Sequence, residues 1–489
     1  MLPNELEELA NRVCSRKAEE QTIEVKAAHE GVPKRLYDTL SSFSNQDAGG
    51  VILFGIDETA DFARVGVYDA QDLQKKVTEQ CSQMEPPVRA LFTVTETDGV
   101  VICSAEIPGL DLSLRPCYYK GKGRMKGSYV RVGDADLPMT EYELYSYEAF
   151  RRRLHDDERP VERAGIDSLD KDMLEKYIAS RSQERPGLAK LAEAEKYGMM
   201  AILRDQRPTL AALLNLGIYP QGYFPQLCIT AIVVPGLQIG DVGDENARFL
   251  DNRRLEGTIP SMVDEALLFC RRNMKTKTII DPKAGRRTDR TEYPVDAIRE
   301  AVLNALIHRD YSIYTEGTPV QINFFADRLE IHSPGGLYGR MSVEQLGHAR
   351  PDQRNPALAV MAEALTEAEN RYSGIPTMRR AMKEYHLPEP KFENRRNEFV
   401  VTFYNAQGKA DREGGNGNSR RHEAAFREEA LLRFCETPRS RREIADFLGI
   451  ETAFYAMRRY VKPLLDAGKL EMTIPDKPRS NKQKFIAHH

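Results

Sequence analysis

The chain has 489 residues, of which 41% are hydrophobic and 29% charged, with a formal net charge of −4. That length suits about three domains on a prior of ~150 residues each, and the composition excludes a disordered chain. No run of ~18 apolar residues occurs, which predicts no membrane-spanning helix. The acidic, amphipathic opening MLPNELEELANRV is unlike a secretory leader. Seven scattered cysteines without a Cys-x-x-Cys pair predict reduced thiols, a cytoplasmic setting and no zinc site.

Residues 4–18 predict a helix with Leu6, Leu9 and Val13 on one side. The stretch Glu19 to Lys26 predicts a strand in which Glu24 and Lys26 share a face, because side chains alternate with period two. A helix over 33–44 and a turn over Asn45–Gly50 lead into the apolar strand VILFGI and Asp57. The carboxylates of Glu19, Glu24 and Asp57 are thus expected to converge at one end of a small sheet. Hard oxygen ligands of that kind gather Mg²⁺ or Mn²⁺, which activates water and stabilises a phosphate transition state, and Lys26 would neutralise a phosphate oxygen. Solvated acids at strand ends are the alternative. Further on, Lys120, Lys122, Arg124, Lys126 and Arg131 interleave with Tyr118, Tyr119 and Tyr129, a mixture suited to tracking phosphates and stacking bases, or else a solvated basic hairpin.

The segments EEQTIEVK, SFSNQDAGGVILFGIDE, PCYYK and GSYVRVG together resemble the Schlafen-type AlbA-like domain. In RNA-cleaving Schlafens two glutamates and a later aspartate form the catalytic set, which the resemblance carries onto Glu19, Glu24 and Asp57. Many bacterial relatives are described only as DNA-binding proteins, so the resemblance also admits these acids without cleavage.

Residues 151–168 are charged and contain proline, which predicts a linker. Helices are expected from Asp167 to about Arg181 and over 187–204, a buried strand at CITAIVV, and an amphipathic helix over 258–274 with Ile259, Met262, Ala266, Leu267 and Cys270 inside. The stretch YPVDAIREAVLNALIHRDY, Tyr293 to Tyr311, predicts a helix opened by Pro294. Ile298, Val302 and Ala305 make its core face, while Glu300, Asn304 and His308 stack at four-residue intervals on another. Val320–Phe325 and Arg328–His332 predict a hairpin that ends in Ser333-Pro334-Gly335-Gly336, where a backbone can approach a ligand closely. Arg371-Tyr372-Ser373-Gly374-Ile375 opens a helix through Met382, and a Ser-Gly turn at a helix N-terminus suits an anion.

This order of elements resembles the GHKL-type ATP-binding fold, and in particular the divergent form joined to Schlafen-type domains in bacterial proteins of the transcriptional-regulator kind. The resemblance implies that Asn304 holds Mg²⁺ between the phosphates of ATP or ADP and that Glu300 activates water if hydrolysis occurs. Gly335 and Gly336 would form the adenine-side loop, residues near 338–370 the lid, and Ser373 and Gly374 would face the phosphates. Two positions depart from the family: Ser333 stands where an aspartate reads adenine, and Tyr372 replaces a glycine of the phosphate turn.

From Arg420 onward fifteen Lys and Arg face ten Asp and Glu, so the tail carries about +5 and the remainder about −9. A basic tail on an acidic body suggests a C-terminus that meets nucleic acid. After the Gly- and Asn-rich linker AQGKADREGGNGNS, helices over 422–436, 440–448 and 452–467 and two strands, KLEMTI and KQKFIA, make a winged-helix pattern. Arg458, Arg459 and Lys462 would load its third helix, and Lys477, Arg479, Lys482 and Lys484 its wing. Winged helices also dock proteins.

The expected architecture is a mixed α/β (α+β) multidomain chain. It has a Schlafen AlbA-like domain over 1–150, a connecting α/β region over 151–290, a GHKL-like ATP-binding α/β sandwich over 291–405, a flexible linker over 406–421 and a winged helix-turn-helix domain over 422–489. The expected function is a nucleotide-responsive, DNA-binding transcriptional regulator that forms homo-oligomers and uses no membrane. Two rivals come from other classes: a metal-dependent endonuclease acting on tRNA, other RNA or DNA, and a scaffold whose inactive ATPase domain serves dimerisation.

Overall fold

A computed structural model describes residues 1–243, 246–280, 287–366, 373–406, 431–447, 457, 461–466, 469–474 and 483–487. The chain divides into two compact units, Met1–Phe403 and Tyr404–His489.

The first unit begins with helix Pro3–Arg16 and a four-stranded sheet in the order Ile23–Lys26, Gly50–Phe54, Val100–Ile107, Leu91–Thr97. The first pair is parallel and the others antiparallel. Alternation along the strands divides the side chains between two cores. Ile23, Val25, Leu53 and Ile102 pack on Leu6, Leu9, Ala10 and Val13 of the first helix, whereas Ile52, Phe54, Cys103 and Ala105 pack on Leu40, Phe43, Leu73 and Val77 of helices Tyr37–Ser44 and Ala70–Ser82.

The expected strand VILFGI does not run straight to Asp57. Gly55 takes φ +99°, a conformation that suits glycine, and the chain turns so that Ile56–Asp57 pairs with Ala63–Arg64 in a separate ladder. The basic stretch is not a hairpin. Tyr118–Tyr119 pairs with Met84–Glu85, and Gly123–Gly127 winds into a short helix.

Downstream, a six-stranded sheet runs in the order Asp251–Leu255, Ile229–Val233, Val320–Phe324, Arg328–Pro334, Glu398–Tyr404, Lys391–Asn394. Ile229–Val233 lies parallel to Val320–Phe324 and antiparallel to Asp251–Leu255. Residues 229–255 thus share one sheet with residues 320–404. One continuous core joins this sheet to helices Leu210–Leu216, Ile259–Asn273, Val295–His308, Pro356–Thr366 and Gly374–Glu384. The helix expected over 187–204 is divided into Pro186–Ala189 and Glu193–Met199. The Glu195 carboxylate accepts the Ala192 amide at 3.0 Å and so starts a fresh helix, and Leu203–Arg204 pairs instead with Arg207–Pro208.

In the second unit Leu470–Met472 and Arg439–Ser440 flank Lys484–Ala487, all antiparallel. Leu431, Cys435, Ile444, Val461, Leu464, Leu470 and Phe485 form its core. Among the described residues no helix is long and apolar enough to cross a membrane.

Candidate functional site

Helix Val295–His308 buries Ala297, Ile298, Ala301, Val302 and Ala305 in the central core. The same 3.6-residue period that buries this face leaves Glu300, Asn304 and His308 half-buried on another, where they line a cavity. Ser333, Gly335 and Gly336 supply a second wall, and Ser373 and Gly374 at the start of helix Gly374–Glu384 a third. All eight residues singled out in this region therefore face one space.

At one end of the cavity the approach is close. A Cβ on Gly374 would stand 2.8 Å from Glu300 Oε2 and 3.0 Å from Asn304 Nδ2, so any other residue there would displace both side chains. The positive end of the helix dipole meets a carboxylate and a carboxamide there. Burial raises the Glu300 carboxyl above its ordinary range. Mg²⁺ takes one or two protein oxygens and completes its shell with phosphates and water, so Asn304 and Glu300 fit a magnesium–phosphate group.

One turn further along, burial pushes the His308 imidazole down to about 4, with Arg354 adding to the effect, so the ring is neutral at pH 7. The Ser333 hydroxyl donates to the Ala305 carbonyl at 2.9 Å, which leaves no carboxylate at that position of the wall. Gly335 takes φ +90°, and a Cβ there would lie 2.5 Å from Arg354 Nη1. Arg354 Nη2 donates to the Gly336 carbonyl at 3.0 Å, and the Leu337 amide donates to Asn394 Oδ1 at 2.8 Å, which fixes the glycine loop.

Gln353, Arg354, Asp352 and Glu363 also line the cavity, and no sequence signal singles them out. They fall in a span assigned only as a lid, with no periodic pattern. Asp310 is a further residue that the sequence reading does not mark, although it lies inside the quoted HRDY. Burial opposes its charge, but Arg354, Ser312 and Tyr142 hold its carboxyl below the ordinary range. Tyr372 lies outside the described residues.

The N-terminal acids require a correction. Asp57 does not join Glu19 and Glu24. Beyond the Gly55 bend, it accepts the Thr59 amide at 2.9 Å and the Thr59 hydroxyl at 2.7 Å, and the Thr59 hydroxyl above all lowers its pKa. Glu19 and Glu24 instead meet Asp136 around the guanidinium of Arg131. Nη1 lies 2.8 Å from Glu24 and 3.0 Å from Asp136, and Nη2 lies 3.5 Å from Glu19 and donates to the Ile23 carbonyl at 3.2 Å. Lys26 pairs with Glu24 from outside. Glu19 also accepts the Val25 amide at 2.7 Å, yet burial, aided by Glu24, pushes its carboxyl up to about 7. Among the described residues no three His, Cys, Asp or Glu side chains are grouped to hold a metal ion.

Arg131 is itself corrected as a nucleic-acid contact. Its side chain is 1% exposed and lies over the Phe43 ring, so it is a buried counter-ion. Arg124 is spent on Glu148 at 2.6 Å, Tyr119 stacks on Tyr37 with centroids 3.8 Å apart, and Tyr129 is buried. Lys120, Lys122 and Lys126 remain open to solvent to differing degrees, the first two beside Glu85 and Asp38 at 3.3 and 3.7 Å. In the second unit Lys462 and Lys484 are exposed; Arg458, Arg459, Lys477, Arg479 and Lys482 lie outside the described residues.

Three stretches of the chain match known family models. Residues 19–140 match the family model "Schlafen, AlbA_2". Residues 317–403 match the model described as "Putative ATP-dependent DNA helicase recG C-terminal". Residues 429–486 match "Filamentation induced by cAMP protein Fic-like, C-terminal domain". The chain is thus a mixed α/β protein that joins an AlbA-like domain to a divergent ATPase-type domain. No curated protein matches it. Among solved structures, the DIP2311 protein of Corynebacterium diphtheriae is similar at 17% identity and a TM-score of 0.39, over 96% of this chain and 93% of that one. The N-terminal domain of a RecG-related protein of Nitrosomonas europaea is similar at 24% identity and a TM-score of 0.23, over 28% of this chain and 93% of that one.

Proposed function

We propose that the protein is a nucleotide-responsive, nucleic-acid-binding regulator, with ATP or ADP and Mg²⁺ taken in the cavity beneath helix Val295–His308. The observation that carries this reading is the convergence of Glu300, Asn304 and the bare Cα of Gly374 at a helix N-terminus. Asn304 would hold the ion, the amides at Ser373 and Gly374 the phosphates, and Glu300 the attacking water if the nucleotide is cleaved. The AlbA-like domain supports contact with nucleic acid through Lys120, Lys122 and Lys126. The basic second unit supports a DNA contact, for which a winged helix is the form we propose; transcriptional regulation is the role that joins these parts.

The nuclease reading is the less favoured, because Arg131 already neutralises the acids that would hold a catalytic metal. Calorimetry with Mg·ATP and Mg·ADP tests the main reading. Wild type should bind one of them and Asn304→Ala should not, with both proteins melting alike. No binding of either nucleotide to wild type would remove it.

A further inference from the structure

The cavity has a second polar side near His308, four residues (~6 Å of helix rise) beyond Asn304. There the segment 351–355 is tied to the close of helix Val295–His308. Buried Asn355 staples it, donating from Nδ2 to the carbonyls of Ile307 and Arg309, each at 2.8 Å, while His155 Nδ1 lies 3.2 Å from the Arg354 carbonyl. The staple places two cavity-lining side chains whose polar atoms are buried and make no hydrogen bond: Gln353 Oε1, an acceptor, and Arg354 Nη1, a donor. Arg354 is held rigidly. Its Nη2 is bonded to the Gly336 carbonyl, its guanidinium lies over the Tyr338 ring at 5.1 Å, and Nη1 forms an ion pair with Asp310 Oδ2 at 3.7 Å, too long for a hydrogen bond.

A buried acceptor without a hydrogen bond costs free energy, and Arg354 Nη1, though ion-paired with Asp310, keeps an unused N–H; a ligand with the complementary donor and acceptor satisfies both. Every nucleobase presents such an edge, a ring nitrogen or carbonyl acceptor beside an N–H donor. The usual base reader of this fold, a carboxylate, is here Ser333, whose hydroxyl is spent on Ala305. We propose that Gln353 and Arg354 are the base-reading pair of the cavity, and that they recognise the hydrogen-bonding edge of a nucleobase while Asn304 and Gly374 take the phosphate end. The proposal rests on the nucleotide reading of the cavity and adds to it the residues that set base specificity.

The test compares Mg·ATP, Mg·GTP and Mg·CTP with Mg·tripolyphosphate, which has no base, by calorimetry on the full chain. Wild type should prefer one nucleotide over the others and over tripolyphosphate. Arg354→Met and Gln353→Leu should each weaken that nucleotide about tenfold and flatten the preference among bases. Both should leave tripolyphosphate affinity unchanged, whereas Asn304→Ala should weaken every ligand. Gln353→Leu leaves the Arg354 contacts intact and so guards against loss of fold in Arg354→Met. An equal fall for nucleotide and tripolyphosphate would make Arg354 a phosphate ligand and overturn the proposal. So would unchanged nucleotide affinity, or a wild type indifferent to the base; in these cases the cavity reading stands. A wild type that binds neither nucleotide nor tripolyphosphate removes the cavity reading and the proposal together.

Discussion

The Tyr142 hydroxyl donates to Asp310 Oδ2 at 2.8 Å, across 168 residues. Tyr142 lies at the start of helix Glu141–Arg152, which directly follows the AlbA-like domain, and Asp310 lies two residues past the helix that lines the cavity. Neighbouring contacts run the same way. Arg396 grips both oxygens of Glu143 at 2.7 and 2.8 Å, Phe150 meets Tyr338 edge-on, and Arg340 pairs with Asp111 at 3.4 Å. The cavity wall and the N-terminal domain therefore share side chains. Tyr142→Phe removes a donor from a buried carboxylate, a hydrogen bond of about 1.5 kcal/mol or more. Amide exchange of helix Glu141–Arg152 should accelerate about tenfold. Exchange at the wild-type rate would show that this hydrogen bond does not hold the helix.

The ring of acids about Arg131 predicts a large effect at a position whose sequence pattern suggests a surface residue. Removing the single buried cation in Arg131→Met leaves Glu19, Glu24 and Asp136 facing one another, which should cost about 3–5 kcal/mol. Neutralising the three acids as Gln, Gln and Asn in the same chain should restore most of that stability. Urea denaturation followed by a probe in the N-terminal domain measures both. A mild effect of Arg131→Met would refute the counter-ion role.

Glu19 predicts a pH dependence. Its carboxyl titrates near 7 in the folded chain, above its ordinary value of 4.5, because burial disfavours the charge. The folded state thus binds the proton more tightly than the unfolded state. The contribution to stability is full below about pH 4.5 and is lost as pH rises through about 7. Glu19→Gln keeps an acceptor for the Val25 amide but cannot ionise, so its stability should fall less than that of wild type between about pH 5 and 8, a window set by this shift. Parallel melting curves for the two proteins across that range would contradict the assignment.

Gly374 makes a sharper prediction than Asn304. Within a helix, alanine costs no backbone strain and gains propensity. Its methyl group would nevertheless meet Glu300 Oε2 at 2.8 Å and Asn304 Nδ2 at 3.0 Å, so both side chains must move. Gly374→Ala should keep or raise the melting temperature while weakening Mg·ATP at least about tenfold, because ligand geometry is disturbed without loss of fold. Wild-type affinity in this variant would place the phosphate end elsewhere.

On the AlbA-like domain, Lys120, Lys122 and Lys126 predict salt-dependent binding. Replacing all three with alanine should lower the log–log salt slope for duplex DNA by about 0.9 for each phosphate that is no longer neutralised. An unchanged slope would show that the AlbA-like domain does not track phosphates through this edge.

Local pattern was enough to place Glu300, Asn304 and His308 on one face. A helix repeats every 3.6 residues whatever it packs against, and the apolar set Ile298, Val302 and Ala305 determines which face is left over. The glycine turn after Ser333 and the Ser373–Gly374 helix start were legible for the same reason, since backbone chemistry is local. Tertiary structure decided the rest. Whether a charge meets solvent or a partner depends on segments that approach from far along the chain. Arg131 and Glu19 are 112 residues apart, and at Gly55, which takes a positive φ, the chain leaves the ladder of Gly50–Phe54, so that Ile56–Asp57 pairs with Ala63–Arg64. Gln353 and Arg354 carry no periodic signal at all. Their position follows from Asn355, whose amide is bonded to carbonyls left free at the end of a helix 46 residues earlier, because a buried helix end must find its partners somewhere.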